Sequence, residues 1–271
     1  MPELPEVETT RRGVARYCTG KRVARVVVRD ARLRWPVPQA LVRQLPGQVI
    51  EAVERRGKYL LLRTQAGTLI MHLGMSGSLH VVSAATCAQK HDHLDIVLDD
   101  QTCLRLRDPR RFGAALWARG DPLAHPLLSK LGPEPLDEHF HAAYLYQRAQ
   151  GRRTAVKQFI MNSQVVVGVG NIYANEALFC AGIRPGSAVG SLSRARCERL
   201  VQAIRQVLQQ ALVHGGTTLR DFRNSDGAPG YFQQQLSVYG RAGLPCPVCG
   251  RRVRLLRQGQ RATYYCARCQ R

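Results

Sequence analysis

Near its C-terminal end the chain carries two Cys-x2-Cys pairs, Cys246/Cys249 and Cys266/Cys269, sixteen residues apart. Four thiolates at that spacing close one tetrahedral zinc shell, which forces the intervening chain to leave one knuckle and return to the other. The stretch between holds Arg251, Arg252, Arg254, Arg257 and Arg261 and reads as a β-hairpin. Four cysteines leave no coordination position for water, so the metal is structural. A disulfide or redox pair is the alternative use of the same residues. The other five cysteines (Cys18, Cys87, Cys103, Cys180, Cys197) have no ligand spacing and are expected to be buried small hydrophobes.

An arginine-rich hairpin on a metal pin suits an anionic partner, and the whole chain agrees. Over 271 residues, 40 Lys and Arg stand against 19 Asp and Glu, a formal net charge of +21. An excess of that size normally meets a polyanion. Ribosomal and membrane-surface proteins share this balance, but no amphipathic basic anchor is visible here. The 45% hydrophobic content is globular rather than disordered. No apolar run is long enough to span a bilayer, and the acidic opening lacks a signal pattern, so a cytoplasmic location is expected.

From Arg22 to about Ala118 the chain reads as short strands, among them Val23–Val28, Tyr59–Leu62, Thr68–Met71 and His93–Leu98. Branched residues between Gly, Pro and polar turns predict a β-sandwich or barrel. A helix precedes them, with Pro5 in its first turn, Glu6 and Glu8 at its positive end and Gly20 past its end. After a Pro/Gly-rich connector around 121–135, helices are predicted over 155–161, 172–180 and 193–214. In the last, Leu200, Ile204, Val207, Leu208 and Leu212 share a core-facing stripe. The expected division is 1–133, 134–236 and 237–271, an α+β multidomain chain ending in a four-cysteine zinc finger.

Two further motifs carry chemistry. Gly168-Val169-Gly170-Asn171 opens a helix and offers backbone N–H groups to an oxyanion, although an ordinary loop–helix junction has the same form. At the start, methionine before proline is usually trimmed, which exposes Pro2 as a secondary amine with a pKa of about 8. Such an amine attacking a sugar C1′ gives a cationic iminium that acidifies the 2′ hydrogens, so base loss leads on to strand cleavage. On the residues alone the plainer reading of this segment, a helix start with acids at its positive end, is the stronger one.

Pro2-Glu3-Leu4-Pro5-Glu6-Val7-Glu8 closely resembles the opening of the formamidopyrimidine-DNA glycosylases. The resemblance continues through Lys58-Tyr59-Leu60-Leu61, His72-Leu73-Gly74-Met75-Ser76-Gly77, Lys90-His91-Asp92-His93 and Asp108-Pro109-Arg110-Arg111-Phe112-Gly113. It extends through Val167–Ala174, Gly215-Gly216-Thr217-Thr218 and the finger's Gln260-Arg261-Ala262-Thr263, in family order. It implies a β-sandwich, a helix–two-turn–helix domain and a zinc finger. The implied activity is base excision of 8-oxoguanine and formamidopyrimidines from damaged double-stranded DNA, with lyase cleavage of the abasic site. One structural zinc is the sole cofactor implied, and the chain is expected to act as a monomer away from membranes.

The same resemblance makes Pro2 the Schiff-base nucleophile and Glu3 the acid at the sugar. Lys58, expected on a strand from Lys58 to Arg63, becomes a general acid/base and phosphate contact, and Arg261 assists the second elimination. Met75, Arg110 and Phe112 form a wedge that fills the gap left by an extruded nucleotide. His72, His91, Asn171 and Tyr173 join them as DNA contacts. So do Arg152 and Arg153, where many relatives carry lysine, a change that keeps charge and alters geometry. The 217–231 loop is implied in damage recognition. The related endonuclease VIII type, which prefers oxidised pyrimidines, matches the opening and the wedge set less well. A non-catalytic zinc-finger DNA-binding protein would also account for the charge and the four cysteines.

Overall fold

Glu3 and Glu6 start the first helix by reciprocal capping, each side chain accepting from the other's backbone N–H. The computed structural model describes residues 2–216 and 236–271, and in it α1 spans Leu4–Cys18 with Pro5 in the first turn. The chain leaves the helix through Gly20 at φ +80°, as its sequence predicts. The described residues form two compact units, 2–129 with 214–216 and 130–213 with 236–271.

In the first unit α1 is followed by β1 (Val23–Val28), α2 (Gln39–Gln44), β2 (Ala52–Arg56), β3 (Tyr59–Thr64) and β4 (Gly67–His72). Then come β5 (Ser78–Ser83), β6 (Asp92–Leu98), β7 (Thr102–Arg107) and β8 (Ala114–Ala118). They make two antiparallel sheets that share no strand, β1-β6-β7-β5 and β2-β3-β4-β8, which decides between sandwich and barrel. The two-residue period of a strand selects the core. Leu60 and Leu62 pair with Met71 and Leu69 in one sheet, and Leu94 and Ile96 pair with Leu106 and Leu104 in the other. All eight enter one buried cluster with Val7 and Val14 of α1.

The second unit holds α3 (Ala142–Ala149), the short α4 (Val156–Ile160), α5 (Asn171–Cys180), α6 (Arg194–Val213) and the hairpin β9 (Arg254–Gln258) and β10 (Arg261–Tyr265). The α6 stripe is buried at Leu200, Ile204, Val207 and Leu208, while Leu212 is half-buried. The finger is tied to α5. Asn175 Oδ1 accepts from Tyr264 N at 2.8 Å, and the buried Glu176 carboxylate accepts from the amides of Ser237, Val238 and Tyr239 at 2.8–2.9 Å. Among the described residues no helix is long and apolar enough to cross a membrane.

Cys18, Cys103 and Cys197 are buried as expected, but Cys87 and Cys180 are exposed. Cys87 lies in the β5–β6 loop, and Cys180 is the last residue of α5. Burial pushes the Cys18 thiol up to about 12.

A buried ion pair in the sandwich joins β6 and β7. Arg105 grips Asp95 with two bonds of 2.9 Å, and Arg29 adds a third of 2.6 Å. Burial alone would raise the Asp95 pKa, but the two guanidinium groups outweigh it and hold it at about 2. The folded value lies below the unfolded one of about 3.9. The contribution is therefore complete above about pH 4 and lost as pH falls towards 2. Asp95→Asn should lower the urea midpoint at pH 7, because the buried Arg105 loses its bidentate partner and keeps only the Asp92 carboxylate, 3.8 Å away. It should also flatten the loss of stability between about pH 4 and 2, and urea titrations at several pH values check both effects.

Candidate nucleic-acid interface

The resemblance-derived residues of the first unit collect at one end of the sandwich, and strand direction alone puts them there. Lys58 precedes β3, His72 ends β4, Met75 follows it, and Arg110 and Phe112 precede β8. In the register Tyr59 pairs with His72 and His72 with Ala114. In the other sheet Ser78 and Asp92 both pair with Arg107, which brings the Met75 turn, His91 and Asp108 to the same end.

Lys58 is not in the strand. It is the second residue of a two-residue hairpin turn whose first residue, Gly57, has φ +57°. Glycine with positive φ at that first position matches the type II′ hairpin, which ends β2 at Arg56 and starts β3 at Tyr59. Arg55 holds the turn by donating to Gly57 O at 3.0 Å and to Glu8 at 3.2 Å. Glu8 also receives Arg11 and Arg12, both at 2.8 Å. Burial would raise its pKa, but the three arginines hold it below the ordinary value. The Lys58 turn is thereby fixed to α1, whose first residues follow Pro2 and Glu3. Both of those are buried, Glu3 to 2% exposure.

His72 is half-buried with its ring 4.8 Å from that of Tyr59. Burial, then the charges of Lys58 and Arg34, push its pKa down to about 4, so it is neutral at pH 7. Its Nδ1 accepts from Gly74 N at 3.0 Å, which leaves the proton on Nε2. His72 is a hydrogen-bond donor here, not a cation. Met75 (38%) and Phe112 (44%) are large apolar side chains left exposed, and the Arg110 guanidinium lies 4.8 Å from the Phe112 ring centre. His91 is half-buried at φ +76°.

In the second unit Asn171 is the first residue of α5, and Gly170 takes the capping position. Asn171 Oδ1 is buried with no hydrogen bond among the described residues, so capping is not its role. Tyr173 is 1% exposed and part of the core. Arg152 and Arg153 are exposed, and Arg152 folds back to donate to Arg148 O at 2.7 Å. Arg261 starts β10 after the turn Gly259-Gln260, whose φ values of +52° and +62° fit a type I′ hairpin. It borders a cleft of about 160 Å³ lined also by Lys157, Gln158, Met161, Gln258 and Gly259.

Lys157 was not singled out by its sequence. Its buried ammonium donates to Ala262 O at 2.8 Å and Thr263 Oγ1 at 2.7 Å, pinning the finger hairpin beside Arg261. A lysine between Val156 and Gln158 looks like an ordinary solvated helix position, so nothing in the local pattern marks it. The 217–231 loop falls within 217–235, outside the described residues.

The sulfurs of Cys246, Cys249, Cys266 and Cys269 lie within 4.8 Å of one another, with two separations of 3.9 and 3.4 Å. A tetrahedral shell with Zn–S near 2.3 Å spaces its sulfurs by about 3.8 Å, so the cluster fits one structural zinc. No disulfide joins these cysteines. Elemental analysis should give about one zinc per chain. Cys249→Ala should lose it and disorder the finger while the sandwich core stays folded, as amide hydrogen exchange would show.

Three family models match successive stretches: the formamidopyrimidine-DNA glycosylase N-terminal domain over residues 1–115, the H2TH domain of the same enzymes over 131–223, and a zinc finger found in FPG and IleRS over 243–271. The formamidopyrimidine-DNA glycosylases of Thioalkalivibrio sulfidiphilus and Stutzerimonas stutzeri are each 61% identical over 271 residues, covering all of both chains. Among solved structures, the MutM (Fpg) protein of Thermus thermophilus is 40% identical with a TM-score of 0.90, covering 99% of this chain and 98% of that one. Lactococcus lactis Fpg bound to Fapy-dG-containing DNA is 30% identical with a TM-score of 0.91, covering 99% of each chain. The chain belongs to the formamidopyrimidine-DNA glycosylase family.

Proposed function

We propose that this protein is a base-excision repair enzyme, a bifunctional DNA glycosylase and abasic-site lyase that removes 8-oxoguanine and formamidopyrimidines from duplex DNA. The observation that carries it is the family match from residue 1 to residue 271, the N-terminal domain included. A DNA-binding finger alone would account only for the last stretch. The location is cytoplasmic, on the nucleoid, and the chain acts as a monomer.

The residue roles follow chemically. With Met1 removed, the Pro2 nitrogen attacks C1′, the bond to the damaged base breaks, and the base leaves with its electron pair and takes up a proton. Glu3, the adjacent carboxylate, carries the proton given up by the Pro2 nitrogen to the opening sugar ring. The iminium so formed withdraws electrons from C2′. Lys58 serves the removal of the 2′ proton, whereupon the 3′ C–O bond breaks. Arg261 assists the second elimination, which breaks the 5′ C–O bond. His72 donates Nε2–H to a phosphate, while His91, Asn171, Arg152 and Arg153 add contacts along the backbone. Tyr173 is the least accessible of the set. Met75, Arg110 and Phe112 fill the place of the extruded nucleotide.

A nitrogen inside a Met1–Pro2 peptide bond has its lone pair delocalised and cannot attack a carbon. Protein that retains Met1, confirmed by mass spectrometry, should therefore neither release 8-oxoguanine nor cleave the strand, while still binding DNA. Normal turnover by that protein would overturn the assignment of Pro2. Glu3→Gln should impair base release, and Lys58→Ala should be milder because the nucleophile stays in place. With a net charge of +21, affinity for undamaged duplex should fall linearly on a log–log salt plot; a flat response would contradict a phosphate-dominated interface.

A further inference from the structure

The two turns that carry Met75 and Phe112 come from different sheet connections, yet one buried side chain holds both. Asp108 is fully buried. Its Oδ1 accepts from Ser76 Oγ at 3.1 Å and from Arg110 N at 3.3 Å, and its Oδ2 accepts from Gly113 N at 2.7 Å. Its backbone ties in the third loop of this end: Asp108 N donates to His91 O at 3.0 Å, and His93 Nε2 lies 2.9 Å from Asp108 O.

The turns touch through glycine. A Cβ on Gly74 would sit 2.4 Å from the Phe112 carbonyl carbon, and one on Gly113 would sit 2.8 Å from His72 O and 2.9 Å from Asp108 Oδ2. No L side chain fits either place. Arg111 completes the turn at φ +56°, with its guanidinium 3.2 Å from Asp30.

We propose that Asp108 is a positioning residue for lesion engagement: it sets the spacing between the Met75 turn and the Arg110–Phe112 turn, and with it the reach of Arg110 to the base opposite the lesion. The proposal rests on Met75, Arg110 and Phe112 acting as the wedge. An exposed apolar side chain enters a base stack only if its backbone does not yield, and a shift of about 1 Å in a reacting assembly can cost about a hundredfold in rate. Asp108 touches no substrate. It acts through the two turns, by bonds that a carboxylate alone can make, since both oxygens accept.

Asp108→Asn tests this. The amide keeps one acceptor and turns the other into a donor, which in either orientation faces a backbone N–H of the Arg110–Phe112 turn, that of Arg110 or that of Gly113. That turn loses a tie, whereas the Ser76 hydroxyl can rotate to accept. Ser76→Ala removes the Met75 tie alone and leaves Asp108 in place. Full-length zinc-loaded wild type, both variants and Phe112→Ala are compared in single-turnover release of 8-oxoguanine paired with cytosine and with adenine, in affinity for undamaged duplex and in thermal midpoint. Asp108→Asn should slow excision by about tenfold or more and change the cytosine-to-adenine rate ratio. Ser76→Ala should show a smaller loss in the same direction, and affinity for undamaged duplex should stay near that of wild type.

The proposal is overturned if both folded variants excise at the wild-type rate with an unchanged ratio. It is overturned equally if their losses are the same for both opposing bases and follow the thermal midpoint. Phe112→Ala separates the two levels. If it is slow while Asp108→Asn is normal, the positioning role alone fails; if it too is normal, the wedge itself fails and the proposal with it.

Discussion

Pro2 and Glu3, at the start of α1, are buried, and the proposed chemistry depends on that. Chain ends usually fray, but Pro2 to Val7 are buried, and the Glu3–Glu6 capping box closes the start of α1. A terminal amine can serve as a nucleophile only if it is held in one place. Here the holding group is a fifteen-residue helix whose Val7 and Val14 reach the sandwich core. The same helix carries Glu8, which grips Arg55 and so fixes the Lys58 turn. The start of α1 and the Lys58 turn thus share one frame, set by hydrophobic packing and by the ion pairs of the half-buried Glu8.

The rest of the first unit extends the frame. Because the strands run antiparallel, six loop and strand-end positions that are far apart in sequence finish at one end of two sheets. Their register is enforced by the buried leucines, since a one-residue slip would turn each of them to the other face. Buried polar groups then fix the segments beyond the strands: Asp95 holds Arg29 after β1, Arg105 donates to Cys87 O in the β5–β6 loop, and Asp108 accepts from its three donors. The finger follows the same logic in its own unit. Zinc fixes the knuckles, while Lys157, Asn175 and Glu176 fasten the hairpin and the segment before it to helices. At that end of the sandwich Met75, Phe112 and Arg110 stay exposed, with His72 half-buried beside them.

Much of this was legible in the sequence where local physics decides. The start of α1, four strands, the α6 stripe and the cysteine quartet all follow from caps, periodicity or ligand spacing. Other positions are decided by backbone conformation or by tertiary partners. Lys58 reads as part of a leucine-rich strand, but the positive φ of Gly57 places it in the turn. Cys87 and Cys180 read as buried and are exposed: Cys87 lies in a loop, and Cys180 is an exposed helix end between the buried Phe179 and Ala181. Lys157 looks like a solvated charge, and Asp108 stands out only as part of a motif. Their donors and acceptors come from residues up to 106 positions away, and no local pattern records those.

The central claim is that the amine at the buried start of α1 forms the covalent bond to DNA, and it can be located directly. An 8-oxoguanine duplex is reacted with the trimmed protein, the intermediate is reduced with borohydride, and the conjugate is digested with protease and nuclease and sequenced by mass spectrometry. The account predicts the sugar remnant on the Pro2 nitrogen of the N-terminal peptide, with Lys58 unmodified. A remnant on Lys58, or on any other lysine, with the N-terminal peptide recovered unmodified, would contradict it.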